Sequence, residues 1–245
     1  MPDPSPDLAD RTTDEVRAGT LVEREFSVPS LATGEPVPAV LRRPAAGEGD
    51  RLVLLGHGGR TDKRAPYIEH VAGLLAARGI TSLAIDGPGH GDRRTADFTG
   101  ATEEFAAAWH GGGGTAGMLG DWRAALDAVE AEFGARPTGW WGLSMGTMMG
   151  LPVCAHDERI RFAVLGLMGT WGPNRDELIE AAAALTTPVR FLVQWDDEVV
   201  PRDRCFELYG LLASRRKTMH VNPGAHAAVP RFEVAASVDY LDHHL

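Results

Sequence analysis

The chain has 245 residues, 44% hydrophobic and 24% charged, the composition of a folded globular protein rather than a disordered or fibrous one. A chain of this length hides roughly 70–75% of its unfolded surface on folding, so one core can sustain it without disulfides or a structural metal. With 24 basic against 34 acidic residues the net charge is −10, which argues against nucleic acid or an anionic membrane as partner.

Residues 1–18 read as a polar, poorly ordered lead-in rich in Asp and Pro, with neither a basic n-region nor an apolar run, so no signal peptide is expected. Residues 21–28 and 37–43 alternate apolar and polar around Ala32-Thr33-Gly34-Glu35, which predicts an antiparallel hairpin. The run 51–55 is almost wholly apolar and ends in Gly56-His57-Gly58-Gly59, the pattern of a strand buried on both faces of a parallel sheet. A helix over 66–78 follows, with Ile68, Val71, Leu74 and Leu75 at helical spacing and Gly79 as its stop.

The alternation then continues. Strands are expected over 80–85, 138–143, 162–167, 189–195 and 218–221, and helices over 121–133, 145–156, 175–185, 202–213 and from about 231 to the end. Such alternation implies right-handed crossovers and a mostly parallel, doubly wound sheet. Pro152 falls inside one of these helices, where it should kink or shorten it. The connection 92–119 is far longer than an ordinary strand-to-helix loop; it carries Phe98, Phe105, Trp109 and the Gly111–Gly114 run and is a candidate lid on the single domain 19–245. Every apolar segment is interrupted well short of the ~20 residues that span a bilayer. Cys154 and Cys205 form no CxxC motif or disulfide framework, so a reducing compartment, the cytoplasm, is the expected location.

The strongest local signal is Gly142-Leu143-Ser144-Met145-Gly146, a GxSxG directly after an apolar strand and before a helix-compatible run. A serine there occupies a sharp strand-to-helix turn that exposes its hydroxyl, and the following helix points free N–H groups at the same place.

With His57-Gly58-Gly59 after an earlier strand, Gly87-Pro88-Gly89-His90-Gly91 after the next, and an acid and a histidine following in that order, the chain from about residue 22 resembles the α/β-hydrolase family, of a size like the dienelactone hydrolases and without a large cap domain. The resemblance implies the α/β-hydrolase fold with its N-terminal antiparallel hairpin. It implies Ser144 as nucleophile and the Gly58-Gly59 segment as the oxyanion loop. It also implies an acid within Asp196-Asp197-Glu198, where the register before Val199-Val200-Pro201 resembles DxxVP and picks Asp197. Asp196 stays a rival, because Trp195 stands where the family's glycine usually precedes this turn.

Among the histidines after the acid, His220 lies within a predicted strand and His243 and His244 end the chain, whereas His226 sits in a loop just past the last strand, where the sheet's carboxyl edge delivers side chains. His226 is therefore the expected base, Asp197 the group that orients it, and the N–H groups of Gly59 and Met145 the expected oxyanion donors. In the family His57 supports the loop, and Asp86 with His90 reads as a structural pair; no HxH, HExxH or CxxC spacing supports a metal, and no cofactor is expected. Gly58, Phe98, Trp109, Met168, Trp171 and Trp195 are expected to line a largely apolar substrate pocket with Met145.

These residues imply a serine hydrolase that cleaves a small carboxylic ester through an acyl-enzyme. Thioester, lactone, amide or carbon–carbon hydrolysis would use the same triad, and a non-catalytic ligand-binding member of the fold is the alternative of another class, disfavoured by the complete set Ser144, Asp197 and His226. The expected partner is a small-molecule ester, with a homodimer allowed for and neither nucleic acid nor membrane.

Overall fold

The computed structural model describes residues 16–18, 21–47, 49–95 and 102–245. Among the described residues nine strands, numbered in chain order from β1 (Val16–Ala18), form one sheet in the order β1-β2-β3-β5-β4-β6-β7-β8-β9. The predicted hairpin is β2 (Leu21–Pro29) and β3 (Pro36–Pro44), paired antiparallel from Leu21↔Pro44 to Pro29↔Pro36. From β5 (Ile80–Ile85) through β4 (Arg51–Gly56), β6 (Thr138–Gly142), β7 (Ile160–Gly166), β8 (Val189–Gln194) and β9 (Lys217–Asn222) every pairing is parallel.

The central strands are apolar on both faces because both faces are covered. Leu52 and Leu54 of β4, Trp140 of β6 and Phe191 of β8 belong to one core, whereas Val53, Leu55, Trp141 and Leu192 belong to the other. The second core is closed by α1 (Pro66–Ala76) and α7 (Arg231–His244). The first is closed by α3 (Gly114–Phe133), α4 (Met145–His156), α5 (Arg175–Ala184) and α6 (Arg202–Leu211). The chain passes from β4 outward to β5 and then back across β4 to β6. The strand order thus reverses beside β4, and the crevice at the carboxyl ends of β4 and β6 is the topological switch point where such sheets bind ligands.

Three features depart from the sequence reading. Val16–Ala18, expected within the unordered lead-in, forms β1 and pairs antiparallel with β2; residues 1–15 of that segment lie outside the described residues. The connection after β5 holds a short 3-10 turn (Gly91–Arg93) and a helix, α2 (Thr102–Gly111), while residues 96–101 of the expected lid lie outside the described residues. α3 begins at Gly114 rather than 121: the first turns are glycine-rich and read as loop, but burial of Met118 and Trp122 against the core outweighs their poor helix propensity.

Pro152 neither breaks nor shortens α4, which runs on to His156. A proline in a helix interior leaves the carbonyl four residues back without its donor. Here that carbonyl, Met148 O, accepts a hydrogen bond from Asn174 Nδ2 at 3.2 Å, and Asn174 is fully buried.

Candidate active site

Ser144 sits between β6 and α4 with φ 58° and ψ −122°, a conformation rare for a residue with a Cβ. Its surroundings hold it there. Its N–H donates to Gly166 O at 2.9 Å, and Thr147 Oγ1, one turn on, lies 2.9 Å from Gly142 O and 2.7 Å from Gly166 O. The helix must also come very close to the sheet: a Cβ on Gly146 would overlap the Gly56 carbonyl oxygen, and one on Gly150 would overlap the Trp140 indole. The spacing of small residues along α4 thus seats the turn.

His226 arrives from the other end of the sheet, in the loop after β9, and its Nε2 lies 2.9 Å from Ser144 Oγ. Its Nδ1 lies 2.7 Å from Asp197 Oδ2, and the Asp197 side chain is 1% exposed. Asp197 Oδ1 accepts the N–H groups of Val199 and Val200, each at 2.8 Å, so the carboxylate is held on both oxygens. β8 and β9 are paired to their last residues, Gln194↔Asn222, which brings the two loops side by side.

The two neighbouring acids have separate work. Asp196 exchanges two bonds with Gly224, Asp196 N–H to Gly224 O at 3.1 Å and Gly224 N–H to Asp196 Oδ2 at 3.0 Å. Glu198 accepts the main-chain N–H of His226 at 2.8 Å, and that hydrogen bond holds its carboxyl below the usual range. Asp197 thus meets the imidazole, and Asp196 meets the loop that carries it.

Opposite Ser144, β4 and β6 end in register at Gly56↔Gly142, which sets the loop after β4 against the start of α4. Met145 N–H, in the first turn of α4, and Gly59 N–H make no hydrogen bond within the protein among the described residues. Gly59, Ser144 and Met145 share a cavity of about 220 Å³ with Arg60, His90, Phe105, Met148, Met168, Trp171, Gly172, Pro173, Val199 and Val200.

His57 is fully buried, and burial pushes its pKa down to about 4, so the ring is neutral. Gly87 N–H donates to its Nε2 at 2.9 Å, which leaves the proton on Nδ1, 2.9 Å from Gly58 O. The ring thereby ties the glycine-rich turn after β5 to the loop after β4. Asp86 binds Lys63 through Nζ at 2.7 Å and through its N–H at 3.0 Å, and His90 Nδ1 turns to Pro88 O at 2.9 Å.

Of the expected pocket residues, Met168 and Trp171 line the cavity and Phe98 lies outside the described residues. Trp109 does not line it: the ring is buried in the core and stacks on Phe105 with centroids 6.4 Å apart, and Phe105, one helical turn earlier, forms the wall instead. Trp195 is half-exposed beneath the Arg202 guanidinium, 3.8 Å from the ring centroid, and is absent from the lining. Gly58 is also absent from it, and its N–H donates to Tyr67 Oη at 2.5 Å. Phe105 and Met148 were missed. Met148 is four residues after Ser144 on α4, a spacing that puts it on the same helical face, so that position was open to sequence reasoning.

The model of the alpha/beta hydrolase family matches residues 52–242. A PEG-bound complex of a cold-adapted esterase from an Arctic intertidal metagenomic library is 55% identical, with 94% of this chain and 97% of that chain covered and a TM-score of 0.88. The native structure of such an esterase from the same kind of library is 52% identical over 95% of this chain and 97% of that chain, with a TM-score of 0.84. An acetyl xylan esterase from Paenibacillus sp. R4 shares the fold at 19% identity over 96% of this chain and 87% of that chain, with a TM-score of 0.73. No curated protein matches the sequence.

Proposed function

The chain belongs to the alpha/beta hydrolase family, and on that premise we propose that it is a serine esterase that cleaves small carboxylic esters through an acyl-enzyme. The observation that carries the reading is the 2.9 Å approach of His226 Nε2 to a Ser144 hydroxyl held at positive φ.

A serine hydroxyl is a weak nucleophile until a base removes its proton. As Ser144 Oγ bonds to the ester carbonyl carbon, its proton passes to His226 Nε2. Asp197 keeps the other ring proton on Nδ1 and stabilises the imidazolium that forms. The carbonyl oxygen becomes an oxyanion and takes the N–H groups of Gly59 and Met145, which need no reorganisation to receive it. Collapse breaks the bond to the alcohol, which leaves with the proton from His226. Water, deprotonated by the same imidazole, then releases the acid and restores Ser144.

The acyl part of the substrate occupies the cavity beside Met148, Met168, Phe105 and Trp171, whose apolar side chains and volume of about 220 Å³ suit a small acyl group. No helix among the described residues is long and apolar enough to cross a membrane. Cys154 and Cys205 are free and buried, in keeping with a reducing compartment, and the cytoplasm is the location proposed.

Labelling with a fluorophosphonate probe beside turnover of p-nitrophenyl acetate tests the reading. One probe per chain on Ser144, and loss of both labelling and turnover in Ser144→Ala with the fold retained, is the expected result. Turnover that survives in Ser144→Ala removes the proposed nucleophile, and folded protein that neither labels nor turns over points to a ligand-binding protein.

A further inference from the structure

The Gly59 N–H can serve an oxyanion only if its peptide is aimed, and a glycine pair in a loop does not aim itself. Gly58 and Gly59 have no side chains to lock the backbone, and Gly59 is exposed. In a trans peptide the carbonyl of one residue and the N–H of the next lie in one plane and point in opposite directions. Whatever fixes Gly58 O therefore fixes the Gly59 N–H.

Two donors fix it. His57 Nδ1 reaches Gly58 O at 2.9 Å and Thr61 Oγ1 reaches it at 2.8 Å. The other side of Gly58 is held too, its N–H donating to Tyr67 Oη at 2.5 Å, and Tyr67 Oη lies 3.2 Å from Thr61 Oγ1. Since the Thr61 hydroxyl proton goes to Gly58 O, the Tyr67 proton goes to Thr61 Oγ1. The result is a closed ring in which Gly58 N–H donates to Tyr67, Tyr67 to Thr61 and Thr61 back to Gly58 O. Tyr67 stands in the first turn of α1, behind Pro66, and its ring lies 6.4 Å from that of Trp141. The ring of hydrogen bonds thus ties the loop to a helix packed on the core.

We propose that Thr61 and Tyr67 are positioning residues for the oxyanion donor: their hydroxyls clamp both sides of Gly58 so that the Gly59 N–H is turned outward beside Ser144. This rests on the reading of Ser144 as nucleophile. Polarising Gly58 O through two hydrogen bonds also makes the Gly59 N–H of the same peptide a stronger donor.

The experiment compares Thr61→Val, which keeps the shape and loses the hydroxyl, Tyr67→Phe and Thr61→Ser with the parent enzyme. Removing one oxyanion donor costs on the order of 100- to 1,000-fold in rate. A misaimed donor should cost less, about 10- to 100-fold in kcat for p-nitrophenyl acetate, with KM changed less than about twofold. Affinity for a trifluoromethyl ketone, which forms an oxyanion on Ser144, should fall by the same factor. The pH profile of kcat/KM should not move, and Thr61→Ser should recover most of the loss. Tyr67→Phe keeps the ring on Trp141 and so reads out even if Thr61→Val fails to fold. Full kcat and full ketone affinity in Thr61→Val and Tyr67→Phe overturn the proposal. If Ser144→Ala is inactive in the same assay, that result leaves the esterase reading standing, whereas an active Ser144→Ala sinks the reading itself.

Discussion

Glu198 accepts the main-chain N–H of His226 at 2.8 Å, while its neighbour Asp197 meets the ring of the same histidine at 2.7 Å. Two consecutive carboxylates thus grip one residue, one by the backbone and one by the side chain. With Asp196 on Gly224, the acidic triplet sets both where the imidazole stands and how it is turned.

These roles predict a ranking. Asp197→Asn should lower kcat by roughly 10³- to 10⁴-fold, because the amide favours the wrong tautomer of His226. Glu198→Ala removes one hydrogen bond to the loop, which at about 1.4 kcal/mol is about tenfold in rate, and Asp196→Asn, which keeps an acceptor oxygen for the Gly224 N–H, should cost less than that. Glu198→Gln keeps an acceptor oxygen and should cost less than Glu198→Ala. Steady-state kinetics on one ester decides it, and Asp196→Asn falling below Asp197→Asn would reverse the assignment.

Gly150→Ala should destabilise the fold by about 1–3 kcal/mol, the usual cost of overpacking. The added methyl would overlap the indole of Trp140, which is itself fully buried and packed edge-on to Trp122 with centroids 4.7 Å apart. Urea unfolding should show a lower midpoint at an unchanged m-value; an unchanged midpoint would mean that α4 can lift off the sheet at little cost.

Asn174→Ala removes the donor that replaces the N–H missing from Pro152. Leaving the buried Met148 carbonyl bare should cost about 1–3 kcal/mol. Pro152→Ala in the same chain restores an N–H to the helix, so the double variant should be more stable than the sum of the two single changes. Strict additivity in denaturant melts would show that Asn174 and Pro152 are not coupled through that carbonyl.

Acid should weaken the fold through His57. In the unfolded chain its imidazole takes up a proton near the usual 6.5, but in the folded protein burial holds that off until about 4. Its contribution is therefore fully present above pH 6.5, declines as the pH falls below that, and is lost below about 4. The difference is on the order of 3 kcal/mol. His57→Asn should flatten the fall in unfolding free energy between pH 6.5 and 4 relative to the parent, and parallel curves would refute this assignment.

Much of the fold was legible in the chain because local patterns report burial directly. The apolar runs that became β4 to β8 are buried on both faces, and the hairpin alternation and the helix stops follow periods of 2 and 3.6 residues. α2 and the early start of α3 were not legible, since their glycine-rich sequence has weak helical preference and is held by packing.

The sequence by itself determined the parallel order of elements, the GxSxG turn and the loops in which an acid and a histidine could stand, because strand, turn and helix preferences act over a few residues. Only the tertiary structure decided which acid meets His226, that Phe105 rather than Trp109 walls the cavity, that Asp86 serves Lys63, and that Thr61 and Tyr67 close on Gly58. Those outcomes turn on ångström distances between segments far apart in the chain. Strand register and side-chain rotation fix such distances, and neither leaves a local trace in the order of residues.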